Sequence, residues 1–181
     1  YTWDIQDYGD WSAAGIRNAI ISKIPFSASY RHEFSVGKDR TVGGVTISVN
    51  GRNINIMSTH FDPDSSSNRQ TEAKELVSYA KGFAEDRILT GDFNDQADKT
   101  SMQTLIGSYH DAWAEAVKAG TQKSAPDNPN GYTRNSRIDF VLYSRGEAHL
   151  TLKSVQVIDA RDGNGYMPSD HRPLLAVFSV N

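Results

Sequence analysis

Apolar and polar residues exchange along this chain on two different periods, and the changes mark out its elements. Asn18-Ala19-Ile20-Ile21-Ser22-Lys23 is a short apolar run stopped by Pro25. Over residues 40–49 the apolar positions Val45, Ile47 and Val49 alternate. Gly51 then supplies a hairpin turn, and Ile54 and Ile56 alternate again over 53–59. The period lengthens after Ser65-Ser66-Ser67-Asn68, which reads as a loop and helix start. Ala73, Leu76, Val77, Ala80 and Phe83 or Ala84 follow at helical spacing. Ile88-Leu89 reads as a buried strand ending in a turn. Helices are predicted over 101–106 and from about 110 to 118, the second with Trp113, Ala116 and Val117 on one face. Residues 121–132 form a loop rich in Pro, Asn and Gly, and strands over 137–143, 150–158 and 174–180 close the chain. The pattern predicts one α/β domain over residues 1–181, mostly extended, with no repeat and no linker.

Composition narrows the classes. The chain has 181 residues, 38% of them hydrophobic, enough for one domain with a real core. A formal charge of −3 argues against the basic footprint of a tight, sequence-independent nucleic-acid binder, though not against an enzyme with a local groove. With no cysteine there is neither a disulfide framework nor a thiolate metal site, which suits a cytoplasmic and a secreted bacterial protein equally. No apolar run reaches the length of a membrane span.

The unusual polar residues cluster at predicted strand ends. Gly91-Asp92-Phe93-Asn94 follows the Ile88-Leu89 run, His60 ends the strand carrying Ile54 and Ile56, and Asp170-His171 precedes the last strand. Asp139 lies between Ile138 and Phe140, so alternation turns it to the face opposite its apolar neighbours. An acid at a strand's carboxyl end can orient water or bind a hard cation, and an amide can hydrogen-bond a phosphoryl oxygen. Taken singly, each has an ordinary explanation as turn chemistry or as a polar strand end. Together they predict convergence at one sheet edge.

Those segments resemble the endonuclease/exonuclease/phosphatase superfamily, of deoxyribonuclease I type. The matching stretches are Asn18 to Lys23, Thr59-His60, Gly91-Asp92-Phe93-Asn94, Asp111-Ala112-Trp113, Arg137-Ile138-Asp139-Phe140-Val141 and Ser169-Asp170-His171-Arg172-Pro173, so the resemblance runs from about residue 16 to the C-terminus. It implies a two-sheet β-sandwich flanked by helices and a metal-dependent phosphoesterase, foremost a phosphodiesterase or nuclease. It also implies roles: His60 on the scissile phosphate, Asp92 and Asn94 on the attacking water and on phosphate or metal, His171 on the pentacovalent phosphorus, and Asp139 behind His171. Asp170, Asp92 and Asn94 become the metal set, for Mg²⁺ or else Mn²⁺ or Ca²⁺. A nucleic acid, a small organophosphate and a lipid headgroup all remain open as substrates. Tyr109, Tyr132 and Tyr166 are candidates to stack on a base, and Arg134 and Arg137 could meet a phosphate backbone, although Arg137 could equally cap a carboxylate.

One departure stands out. The family's principal metal ligand is a Glu upstream of the segment matching Asn18 to Lys23, and residues 1–17 contain no Glu. This predicts an N-terminally truncated member, complemented by an upstream segment or a second chain. A shortened member using Asp4, Asp7 or Asp10 is the alternative, the lost strands' exposed apolar surface favouring the first. A catalytically weak domain binding a phosphorylated ligand or a protein is the competing function. A calcineurin-like metallophosphoesterase would also fit Gly-Asp-x-x-Asp at 91–95, but its other motifs do not occur.

Overall fold

The computed structural model describes residues 1–6, 18–146 and 149–181. Its centre is a six-stranded sheet in the order β3-β4-β5-β6-β9-β7. These strands are β3 (Phe26–Glu33), β4 (Thr41–Val49), β5 (Arg52–His60), β6 (Arg87–Asp92), β7 (Tyr109–Asp111) and β9 (Asp139–Ser144). All neighbours run antiparallel except β5 and β6, which are parallel and joined through helix α1 (Ser66–Ala80). A parallel pair needs such a crossover, because no tight turn can return the chain to the same end.

Alternation along the central strands assigns their two faces. Val42, Met57, Leu89, Phe140 and Leu142 point to one side, where α1 and α2 (Thr100–Ile106) cover them with Leu76, Ala80, Met102 and Leu105. Val45, Ile47, Ile54, Val141 and Tyr143 point to the other. There they meet α3 (Ala112–Ala119) and a three-stranded sheet of β8 (Gln122–Lys123), β10 (Leu150–Val157) and β11 (Leu174–Val180). A further pair, β1 (Thr2–Gln6) and β2 (Asn18–Ser22), packs on this side through Ile20. The result is the expected two-sheet sandwich flanked by helices. Among the described residues no helix is long and apolar enough to cross a membrane.

Several boundaries differ from the sequence reading. The helix expected from residue 110 starts at Ala112, because the Asp111 side chain accepts hydrogen bonds from the Trp113 and Ala114 amides and so caps it. His110 belongs instead to β7. β3 was not predicted; its outward face is polar, so it lacks an apolar alternation. β8 lies in the expected loop, its two residues being too few to carry a pattern.

Helix α1 also buries a charge. Glu72 has no solvent exposure; its Oε2 accepts from the Asp62 amide at 3.0 Å, while its Oε1 has no hydrogen-bond partner. Burial raises its pKa from 4.5 to about 7, outweighing the Asp62 hydrogen bond. The sign follows from the neutral acid being favoured by folding. Its stabilisation is complete below pH 4.5 and is lost as pH rises through 7, by about 3 kcal/mol in all. The expected result is that Glu72→Gln gains on the parent by about that amount between pH 4 and pH 8. Urea unfolding at both pH values checks this, and a constant difference between the two proteins would refute it.

Candidate active site

Three of the sequence candidates lie side by side on the sheet because of its register. β5 pairs with β6 so that His60 faces Asp92, and β6 pairs with β9 so that Asp92 faces Asp139. Each stands in phase with residues that point between the two sheets, Ile54 and Ile56, Ile88, and Val141 and Tyr143. One row of polar side chains therefore crosses three adjacent strands at their common end. The chain beyond the row stays tied: the Phe61 amide donates to the Asp92 carbonyl and the Phe93 amide to the Ile138 carbonyl, both at 2.9 Å.

Gly91 is what lets β5 and β6 approach here. Its φ is +148°, and a Cβ added to it would stand 2.0 Å from the Thr59 carbonyl oxygen. Asn94 turns the chain away with φ +51°, a left-handed conformation that asparagine tolerates better than most residues. Its amide N–H donates to Asp92 Oδ1 at 2.8 Å and its Nδ2 to the Phe61 carbonyl at 2.8 Å. With one Nδ2 hydrogen given to Phe61, Asn94 has its Oδ1 and a second N–H left to offer.

The fourth member arrives from the second sheet. His171 precedes β11, and its Nδ1 lies 2.8 Å from Asp139 Oδ2. A carboxylate only accepts, so Nδ1 carries the proton and Nε2 is left to face the row, 3.9 Å from Asp92 Oδ2. From the other side His60 Nε2 reaches the same oxygen at 3.5 Å. Burial lowers the His60 pKa, and Arg40, whose Nη1 donates to the His60 carbonyl at 3.4 Å, lowers it further against the pull of Asp92. Burial likewise raises the Asp92 carboxyl, with Asp139 adding to the rise and the Asn94 amide and both histidines opposing it.

Among the described residues Asp92, Asp139 and His171 are the cluster able to hold a metal ion, their ligand atoms all within 4.8 Å of one another. Two carboxylates on a cross-strand pair repel, and a bound cation would relieve that repulsion, so the donor set fits one. Its membership differs from the expected Asp170, Asp92 and Asn94. The Asp170 side chain is mostly exposed and pairs with Arg134 at 2.9 Å, outside the cluster. Asp7 and Asp10 lie outside the described residues.

Other expectations sort by burial. Tyr109 is enclosed in β7 with 1% exposure and cannot stack on a substrate, whereas Tyr132 and Tyr166 are exposed. Arg137 grips Asp111 with both Nη atoms, at 3.0 and 2.7 Å, and lies over the Phe140 ring at 4.3 Å. It caps a carboxylate and is not spare for a phosphate. Thr133 was missed by the sequence reading. Fully buried, it accepts from the Ile138 and Asp139 amides through Oγ1 and from the Arg172 amide through its carbonyl. It thus ties together the segments bearing Asp139 and His171, and nothing in the sequence marks a loop threonine for that.

Comparisons with known proteins agree with this fold. A family model described as the Endonuclease/Exonuclease/phosphatase family matches residues 1–171, starting earlier than the motif resemblance. No curated protein matches the sequence. Solved structures with the same fold include an endonuclease/exonuclease/phosphatase from Bacteroides vulgatus. It is 17% identical with a TM-score of 0.76, over 99% of this chain and 77% of that one. A mannosyl-6-phosphatase from Bacteroides thetaiotaomicron is 19% identical with a TM-score of 0.65, over 86% of this chain and 67% of that one. TDP2 from D. rerio, complexed with a single-strand DNA product, is 19% identical with a TM-score of 0.66, over 87% of this chain and 69% of that one. With one family model spanning nearly the whole sequence and the two-sheet fold shared with these structures, the chain belongs to the endonuclease/exonuclease/phosphatase family, whose members are generally phosphoester hydrolases.

Proposed function

We propose that this chain, as a single domain over residues 1–181, hydrolyses phosphodiesters with a divalent cation, by in-line attack of water. The observation that carries the reading is the row His60–Asp92–Asp139 at one strand end, completed by His171 hydrogen-bonded to Asp139. The matched structures that act on a sugar phosphate or hold a DNA product support the phosphoester class.

In this reading Asp92 positions the attacking water and takes its proton as the new P–O bond forms and the ester P–O bond opposite breaks. His171 presents Nε2 to a phosphoryl oxygen, and the Asp139 carboxylate behind it holds the ring in that orientation through Nδ1. His60 makes the second imidazole contact with the phosphate. Asn94 contributes Oδ1, and its backbone amide fixes the rotamer of Asp92. Asp92 and Asp139, the two carboxylates of that cluster, would hold the cation, Mg²⁺ or Mn²⁺ by the preference of such ions for oxygen donors. When bound, such an ion neutralises phosphoryl charge and makes water more acidic.

The test is release of p-nitrophenolate from bis-p-nitrophenyl phosphate with Mg²⁺, with Mn²⁺ and with EDTA. The expected result is turnover that EDTA abolishes and Mg²⁺ restores. Turnover indifferent to EDTA would remove the metal from the reading, and no turnover under any condition would remove the hydrolase.

A further inference from the structure

Tyr132 is displayed by a loop whose every neighbouring position is pinned. Gly131 before it has φ +67°, and a Cβ there would fall 2.1 Å from the Trp113 ring. Thr133 after it is fully buried and bonded to Asp139 and Arg172 as described. The backbone of Tyr132 itself is held at both polar atoms by the buried Asn128, whose Nδ2 donates to its carbonyl at 2.9 Å and whose Oδ1 accepts from its amide at 2.8 Å. Against this fixed background the ring is 42% exposed. A large aromatic left in water on a rigid support is in place before any ligand arrives, and so loses little entropy on binding one.

The ring forms one wall of a hollow of about 240 Å³, with Gln96, Ala97, Asp98, Ser136 and Arg137 making the rest. The walls come from two loops that also serve the site. Gln96 follows Asn94 by two residues, and Arg137 precedes Asp139 by two. The Gln96 loop is as firmly built as the Tyr132 loop: the Lys99 amide donates to the Gln96 carbonyl at 3.0 Å, and Gln103 Nε2 to the Ala97 carbonyl at 2.6 Å.

Charge decides what such a hollow could take. The Arg137 guanidinium is committed to Asp111, and Asp98 is paired with Lys99 at 3.1 Å. No uncompensated cation faces the space, so a second phosphate would gain little there. An uncharged ring could lie on the Tyr132 face and hydrogen-bond through its edge to Gln96 and Ser136.

We propose that this hollow is a subsite for the ring of the substrate's organic moiety, a sugar or a nucleobase, stacked on Tyr132 while its phosphate occupies the row of His60, Asp92 and His171. The assignment rests on the phosphoester reading of that row and names the substrate class: ring-bearing phosphoesters over simple alkyl ones.

The experiment compares kcat/KM for thymidine 5′-(p-nitrophenyl phosphate) and for methyl p-nitrophenyl phosphate. The parent protein should prefer the thymidine ester, and Tyr132→Ala should cut that preference by about 10- to 100-fold, since stacking on an aromatic contributes about 1–3 kcal/mol. Tyr132→Phe should restore it. A Tyr132→Ala loss shared equally by both esters, or no loss, would overturn the subsite. Calorimetry with Mg²⁺ decides the matter without turnover, by comparing inorganic phosphate, thymidine 5′-phosphate and glucose 6-phosphate. Binding of a ring-bearing phosphate at least about tenfold tighter than inorganic phosphate, with the increment lost in Tyr132→Ala, supports the subsite, and the stronger of the two identifies base or sugar. Three equal affinities would overturn it, and inactivity toward both esters would fail the hydrolase reading alone.

Discussion

Asp92→Asn is expected to lower turnover of bis-p-nitrophenyl phosphate about 10³-fold, within the range that loss of a positioned base produces. The substitution keeps shape and keeps an oxygen for the Asn94 amide, so the turn after β6 should persist. What it removes is the negative charge at the one atom approached by both imidazoles, at 3.5 and 3.9 Å. In the proposed mechanism that charge takes the water's proton and draws in the cation, and it opposes the burial that depresses the His60 pKa. Steady-state kinetics at saturating Mg²⁺, with circular dichroism as a check on folding, measures the effect. An Asn variant within about tenfold of the parent would show that Asp92 is not the base.

Gly91→Ala is expected to cost at least about 3 kcal/mol of stability, and on a chain of this size that is several degrees in melting temperature. Two penalties coincide. The added Cβ meets the Thr59 carbonyl oxygen at 2.0 Å and carbon at 2.8 Å, main-chain atoms of a paired strand that no rotamer change can move aside. The φ of +148° is also one that side chains disfavour. Gly51→Ala is the control: φ is +77° but nothing lies within 4 Å, so about 1 kcal/mol is expected from backbone strain alone. If chemical denaturation gives the two variants equal losses, the close approach of β5 and β6 is not what Gly91 provides.

Much of this site could be read before the structure, for identifiable reasons. His60, Asp92 and Asp139 stand at the ends of recognisable apolar strands and His171 just before one, so strand-end placement together with the motif order pointed to one sheet edge. β11 has the bounds the sequence implies because it begins after Pro173 and is an almost unbroken apolar run to Val180. Asp170, expected among the metal ligands, stands apart from the row here, because a motif gives order along the chain and not direction. In the fold its neighbour His171 turns to Asp139 while Asp170 turns out to Arg134. Glu72 and Arg40, buried behind the His60–Asp62 segment, were invisible for a different reason. Each is a charged residue at a position with no apolar pattern of its own, and only three-dimensional packing reveals that it is enclosed. Thr133 acts through Oγ1 and its carbonyl on backbone amides brought to it by the fold, which leaves no signal in the sequence.

The origin of His171 separates it from its three companions. His60, Asp92 and Asp139 share one hydrogen-bonded lattice, so none of them can be displaced along the strands without the others losing their partners as well. His171 is delivered across the layer boundary, held to that lattice through its own contact with Asp139 and through Thr133 next door. A slide of one layer over the other would leave the row intact and withdraw a single imidazole. Only the fit between the two layers therefore keeps that imidazole beside the other three side chains.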